Sequence, residues 1–341
     1  MALQNDGKRP EIESVSPVAA IVGGEFQVRG LGLFPGHRPS VRFGDVIAPI
    51  IVGSEKYLMV RVPENATVGE LVVKIGEEDT ASYSCGIGIQ IADSLHPVGN
   101  PAIDQFGNIY TTFSGSRGQK TPVSVYKIDH SYDTKPFVSD LMNATGLAFD
   151  AEDTLYVSSR FDGVIFKVSA TGVMSQWVEG MGVATGLAFD EIGNLYVGDR
   201  SGTIFKISPD RSIYVFTTLE QSVSSYHLAF NSQGDLFVTG PTTSSYDAVY
   251  RVNRQGEVSV FFRGLGRPQG LAFDVDDNLY VAGSLRGRKG IVKITPEGQA
   301  ELFVSGPNIV GLAFSPTRAM IVATTNAIYR VDVDVRGRLV R

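Results

Sequence analysis

A twelve-residue phrase recurs six times over the last three-quarters of this chain and leaves it few ways to fold. GLAFDAEDTLYV begins at Gly146, GLAFDEIGNLYV at Gly186, HLAFNSQGDLFV at His227, GLAFDVDDNLYV at Gly270 and GLAFSPTRAMIV at Gly311; a degenerate copy, NPAIDQFGNIYT, begins at Asn100. Successive starts lie 46, 40, 41, 43 and 41 residues apart. A unit of that period cannot bury both of its faces alone, so the copies must pack on one another.

Each copy carries the same internal grammar. An alternating apolar run such as Leu147 and Phe149 reads as a strand, a polar turn such as Gly193-Asn194 follows, and a second strand resembles Leu195 to Val197. A third strand is exemplified by Ile204 to Ile207, and an outer strand carries an aromatic: Phe137, Trp177, Phe216, Phe262 or Phe303. Four short strands per repeat make one propeller blade, and helical spacing is not sustained anywhere. The expected fold is all-β, with a six-bladed β-propeller over 93–341. The pattern "GLAFD…GNLYV…I.KI.P.G" resembles NHL-repeat propellers and the related senescence-marker-protein/gluconolactonase-like superfamily. Such propellers host lactonases, lyases and binding surfaces, so the resemblance speaks to fold before function.

Residues 1–9 read as a tail, and 10–92 lack the repeat. There PEIESVSPVAAIVGGEFQVRGLGL, SVRFGDVIAPI and EKYLMVRVPENATVGELVVKIG alternate apolar and polar residues between Gly/Pro turns. Seven short strands in about 80 residues fit an Ig-like β-sandwich. Ser16-Pro17, Gly23-Gly24, Gly30, Phe43-Gly44, Val62-Pro63 and Gly69 are similar to an IPT/TIG domain. Some relatives grip DNA with this fold. Here residues 1–92 hold 8 Lys/Arg against 11 Asp/Glu with no basic run, which argues for docking or spacing instead. Ile87, Ile89 and Ile91 fall at the phase of an outer strand, as Ile91 precedes Asn100 by the same nine residues that separate Trp177 from Gly186. Residues 87–92 therefore read either as the last blade's outer strand or as the sandwich's final one, and RGRLVR as the end of the last blade.

The net charge of −6 argues against broad contact with nucleic acid or an anionic membrane. The single cysteine, Cys85, allows no internal disulfide and reads as a small buried strand residue. No apolar leader or bilayer-length segment is visible, so a cytoplasmic protein is expected.

The residues just before each repeated strand, Gly99, Thr145, Thr185, Tyr226, Gln269 and Val310, are expected to face the central channel. In the gluconolactonase-like family several such positions hold metal-binding Glu, Asn and Asp. No carboxylate stands at any of the six here, so no metal site and no cofactor is expected, with a divalent cation (Ca, Mg, Mn or Zn) only for a hydrolase. Copy four breaks the pattern at Ser224-Ser225-Tyr226-His227, and Tyr226 and His227 are candidates for an acid/base pair at the channel mouth. Arg160 and Arg200, with Asp199, follow equivalent second strands, and Arg117 and Arg286 lie in nearby loops; together they are candidate anion ligands. Asp274-Val275-Asp276-Asp277-Asn278 has calcium-loop spacing, but its counterparts at Asp190 and Asp104 lack the same oxygens, so turn chemistry explains all copies. The candidate ligand-binding set is thus Asn100, Thr145, Thr185, Tyr226, His227, Gln269, Arg160, Asp199 and Arg200. The preferred reading is a propeller that binds a small molecule or protein at its loop face. The rival is a gluconolactonase-like hydrolase or lyase using Tyr226, His227 and Gln269, and a third reading is a structural part of a larger assembly.

Overall fold

The computed structural model describes residues 10–34, 36, 38–116 and 118–338. Every regular element among them is a β-strand. None is a helix long and apolar enough to cross a membrane. By contacts the chain divides into two compact units: residues 1–89 with Leu302–Pro307 and Val331–Val333, and residues 90–301 with 308–330 and 334–341.

In the first unit, strands Glu11–Ser16, Glu25–Leu31, Tyr57–Arg61 and Ile50–Ser54 form one antiparallel sheet. Tyr83–Ser84, Glu70–Ile75, Ser40–Phe43 and Val46–Ala48 form another. Alternate residues of both, among them Phe26, Val28, Val41, Phe43, Leu58 and Leu71, point into a single core, as strand periodicity demands of two sheets facing each other. Phe26 and Phe43 meet with ring centroids 5.7 Å apart. Cys85, read from the sequence as a buried strand residue, lies between two short strands and is only partly covered, its thiol donating to the Gly69 carbonyl at 3.3 Å.

Among the described residues the repeats form six four-stranded blades, four of them separate sheets and two, blades four and five, joined where Val258–Gly266 pairs with Leu279–Leu285. Blade three is typical: Ala184–Phe189, Leu195–Asp199, Thr203–Ile207 and Ile213–Thr218, paired antiparallel in sequence order. The six inner strands are Ala102–Ile103, Ala144–Phe149, Ala184–Phe189, His227–Phe230, Leu271–Phe273 and Ile309–Phe314; each neighbours the next, and the last neighbours the first, closing a ring. Blade six is completed out of order. Its outer strand is Ile89–Ala92, which pairs with Ile328–Asp332. Of the two readings the sequence left open for residues 87–92, the outer-strand reading holds for 89–92.

The repeat's aromatics lock blade to blade. Tyr196 of blade three is edge-on to Phe216 of its own outer strand and to Phe230 of blade four, both with ring centroids 5.0 Å away. Tyr110 and Tyr156 sit alike, between Phe137 and Phe149 and between Trp177 and Phe189. Edge-to-face pairs of this kind add about 0.5–1.5 kcal/mol beyond the area they bury. In blade four the partners of Phe237 are Phe261 and Phe273. Phe262, assigned from the sequence, instead lies opposite Val249. The cause is a β-bulge: the ladder steps from Val249↔Phe262 to Tyr250↔Val260, so Phe261 is the extra residue turned inward. Phe137, Trp177 and Phe216 are the bulged residues of their own blades in the same way. Between blades six and one, where the outer strand comes from Ile89–Ala92, Ile321, Ile91 and Ile103 pack in one aliphatic cluster instead.

The polar turn after each inner strand is built by one side chain. Asp274 Oδ1 accepts from the backbone N–H of Asp276 (3.0 Å) and Asn278 (2.8 Å), and its Oδ2 from Asn278 Nδ2 (2.8 Å) and the Tyr280 hydroxyl (3.1 Å). Asp104 makes the same four bonds, to Phe106, Asn108 twice and Tyr110. The DxDxN stretch is therefore turn chemistry, with both oxygens of its first carboxylate engaged.

Candidate functional site

The ring encloses an axial cavity of about 350 Å³. Six equivalent alanines line it, one per blade: Ala102, Ala148, Ala188, Ala229, Ala272 and Ala313. Because side chains alternate along a strand, the residue two positions earlier faces the same way. That second tier is Asn100, Gly146, Gly186, His227, Gly270 and Gly311. Glycine is needed there because the strands converge. A Cβ on Gly186 would come within 2.4 Å of the Tyr226 carbonyl oxygen, and one on Gly146 within 2.2 Å of that of Thr185.

This corrects the assignment of channel-facing positions by one residue. Thr185 and Tyr226 point into the interface of blades three and four, and Thr145 turns back on its own loop. The Thr145 hydroxyl donates to the Asn143 carbonyl at 2.9 Å. The Thr185 hydroxyl donates to the Gly198 carbonyl at 2.7 Å and accepts from the Tyr226 N–H at 3.1 Å. Tyr226 is 1% exposed, its ring lodged beside Gly198 and Gly240, and its hydroxyl donates to the Glu220 carbonyl. Burial pushes that phenol well above the ordinary tyrosine range. Tyr226 is thus committed to structure and is not an open acid at a channel mouth.

Asn100 and His227 are the two side chains that break the glycine tier, and they stand on opposite blades. The Asn100 amide donates to the Leu271 carbonyl at 2.8 Å and accepts from the Leu312 N–H at 3.1 Å, tying blade one to blades five and six. The His227 imidazole reaches across to Gly99, whose Cβ would lie 3.2 Å from its Cε1. His227 is 5% exposed, and burial alone holds its pKa down to about 4, so the ring is neutral at pH 7. Asn100, Thr145, Tyr226 and His227 border one small cavity of about 30 Å³, room for a water or two and no organic ligand.

The remaining candidates do not join them. Gln269 is fixed by its backbone, donating to the Ala282 carbonyl at 2.8 Å and accepting from the Thr239 hydroxyl. Asp199 closes its own loop, accepting from the Val183 N–H at 2.8 Å and from the Ser201 hydroxyl. Arg160 donates to the Gly115 carbonyl and Arg200 to that of Val223, each at 3.0 Å. The two guanidiniums thus bind loops on different sides of their blades and do not converge. Arg286 is exposed in a tight turn, and Arg117 lies outside the described residues. Among the described side chains of the glycine tier, the polar ones are one amide, whose oxygen is already bonded to the Leu312 N–H, and one imidazole, which do not make a donor set for a hard divalent cation. Among the described residues no cluster of three His, Cys, Asp or Glu could hold a metal ion.

The open part of the channel lies on the face of the Asp turns, where Gln105, Asp150, Asp153 and Arg338 reach the axial cavity. A groove of about 210 Å³ between blades three and four adjoins it, and the two recesses share Phe189, Phe230 and Arg338. The final described segment crosses this face rather than finishing blade six. Val275 donates to the Arg336 carbonyl at 2.9 Å, Gly337 bridges Asp274, and Arg338 donates to the Phe273 carbonyl at 2.9 Å. Periodicity gave no signal for this segment, because it lies outside the repeat.

Neither a protein-family model nor a curated protein matches this sequence. Solved structures do. A gluconolactonase from Xanthomonas campestris aligns over 72% of this chain and 89% of its own, with a TM-score of 0.59 and 14% identity. An auxiliary nutrient binding protein from Bacteroides thetaiotaomicron aligns over 96% of this chain and 98% of its own, with a TM-score of 0.56 and 13% identity. Virginiamycin B lyase from Staphylococcus aureus aligns over 70% of this chain and 95% of its own, with a TM-score of 0.53 and 14% identity. At such identities the likeness is one of architecture, and the chain shares with these proteins an all-β, gluconolactonase-like propeller fold.

Proposed function

We propose that this chain is a ligand-binding propeller that takes a small molecule in the recess on its Asp-turn face. The N-terminal part, residues 10–88, serves as an Ig-like module of the IPT/TIG type that docks or spaces the propeller, to which Ile89–Ala92 contributes a strand. The observation that carries the reading is the axial cavity of about 350 Å³, walled by alanines and continuous with an aromatic groove. A concave recess that combines apolar walls with convergent polar groups at its rim is where small molecules bind. The full-length likeness to a nutrient binding protein supports the same reading.

The rival, a lactone hydrolase or lyase at the channel, has the fold of a gluconolactonase and of a lyase behind it. It lacks an assembled set of groups, since Tyr226 is spent on the Glu220 carbonyl and Gln269 borders neither cavity.

Fluorescence titration with the neutral probe 2-naphthamide tests the binding reading. Saturable one-to-one binding is expected, weakened about tenfold or more when Ala188→Leu and Ala229→Leu together fill the cavity. Absence of saturable binding of both this probe and its carboxylate counterpart 2-naphthoate, or binding indifferent to the filled cavity, overturns it. A lactone assay tests the rival: no hydrolysis above background is expected with calcium, magnesium, manganese or zinc, and a metal-dependent rate abolished by EDTA decides for the enzyme.

A further inference from the structure

We propose that the ligand of this recess is an anion with a flat apolar body, and that Arg338 is the residue that takes its charge. The inference rests on the binding reading above and adds the chemical class of the ligand.

The body follows from the walls. Phe189 and Phe230 stand where the axial cavity meets the groove, and Ile192, Tyr196 and Phe216 continue the groove's lining. Ile192 is 77% exposed at the tip of its turn, an apolar cost that a ligand lying over it would offset. Faces of this kind favour a planar, apolar partner.

The charge follows from the balance of the rim. Lys206, Arg254 and Arg338 reach the groove, against Asp190 and Glu191. Asp190 is already saturated: Oδ1 accepts from the N–H groups of Ile192 (3.1 Å) and Asn194 (2.8 Å), and Oδ2 from Asn194 Nδ2 (2.7 Å). Lys206 is drawn over the Tyr196 ring, 5.7 Å from its centroid, and Arg254 donates through Nε to the Gln233 carbonyl at 2.9 Å. Across the axial mouth, on blade two, Asp150 takes the Glu152 and Thr154 N–H groups, and Asp153 takes that of Gln105.

Arg338 differs from its neighbours. Its backbone is pinned by the bond to Phe273, so the side chain starts from a fixed point. Among the described residues its guanidinium has one acceptor, Asp277 Oδ1, at 3.3 Å from Nη2. Asp277 itself is already bonded by the N–H and hydroxyl of Ser232. The Arg338 Nε is shielded from solvent with no acceptor among the described residues. A guanidinium carries five N–H donors in a rigid fork, and one long, shared bond leaves most of that capacity for a carboxylate.

The test compares isosteres on the full chain by titration: 2-naphthoate, which carries a carboxylate, and 2-naphthamide, which has the same shape without the charge. Expected is about tenfold or more tighter binding of the naphthoate, the scale of a charge-assisted hydrogen bond. Arg338→Gln is expected to erase that preference, with naphthoate losing far more affinity than naphthamide, and Arg338→Lys to retain part of it. Thermal melts of both variants establish that they fold. Equal affinity for the two probes, or a preference that survives Arg338→Gln, overturns the anion assignment and leaves the recess as a site for neutral ligands. Failure of both probes overturns the binding reading itself.

Discussion

Replacing Tyr196 with alanine is expected to cost about 3–5 kcal/mol of propeller stability, read as a lowered urea midpoint, whereas Tyr196→Phe costs about 1–2 kcal/mol. The ring is 5% exposed and bridges two blades, standing edge-on to Phe216 and Phe230. Removing it opens a void on both sides of one interface, which close-packed strands cannot refill. The hydroxyl is a smaller matter. It lies near the Asp190 carboxylate, which keeps three donors of its own without it. Blade four supplies a natural precedent, with Phe237 at the same position and Phe261 and Phe273 as its partners. Equal losses in the two variants, or a loss below about 1 kcal/mol for alanine, would show that the aromatic interlock is not what joins the blades.

The second large effect is a pH dependence assigned to one residue. The His227 imidazole has a pKa of about 4 in the folded protein against an ordinary value of 6.5, because it is buried without charge compensation. Above pH 6.5 the ring is neutral in both states and contributes nothing to the pH dependence. Between 6.5 and 4 the unfolded chain binds a proton that the folded chain refuses, so stability falls as the pH falls. The accumulated loss is about 3 kcal/mol by pH 4, at 1.36 kcal/mol per pH unit. His227→Leu, similar in bulk and unable to titrate, is expected to lose this component, so that its stability curve between pH 7 and pH 4 is flatter than that of the parent by that amount. Parallel curves would falsify the burial of an unpaired imidazole at the axis.

Much of this architecture could be read from residue order, and the failures have identifiable causes. The recurrence of Gly-Leu-Ala-Phe fixed blade number and strand order, since only stacked sheets satisfy such a period. The turns were legible too: copies differing at the second and third positions kept Asp at the first, the one residue whose two oxygens build the turn at Asp104, Asp190 and Asp274. Two assignments slipped by one residue. Phe261 was passed over for Phe262 because a bulge shifts the alternation of its strand, and bulges carry no composition signal. Thr145, Thr185 and Tyr226 were placed on the channel although the alanine three positions after each marks the true phase: in Thr-Gly-Leu-Ala, alanine and glycine share a side. The candidate set was scattered for a further reason. Arg160, Asp199 and Arg200 satisfy loop carbonyls and N–H groups that appear only once the chain is folded. Arg338 lay outside the repeat altogether, where periodicity is silent.

Because Ile89–Ala92 supplies the fourth strand of the sheet that Ile309–Phe314 begins, the circle is fastened by a clasp between distant stretches of chain. The Tyr329 hydroxyl bonds Gln90 Oε1 at 3.1 Å across a separation of 239 residues. Bringing such ends together costs about 5 kcal/mol of chain entropy on a logarithmic loop scale. The Asn100 amide, bonded to the Leu271 carbonyl across 171 residues, recovers part of that cost at blade five. A permuted chain that joins those two stretches directly would shorten the loop that the clasp closes and lower its entropic cost.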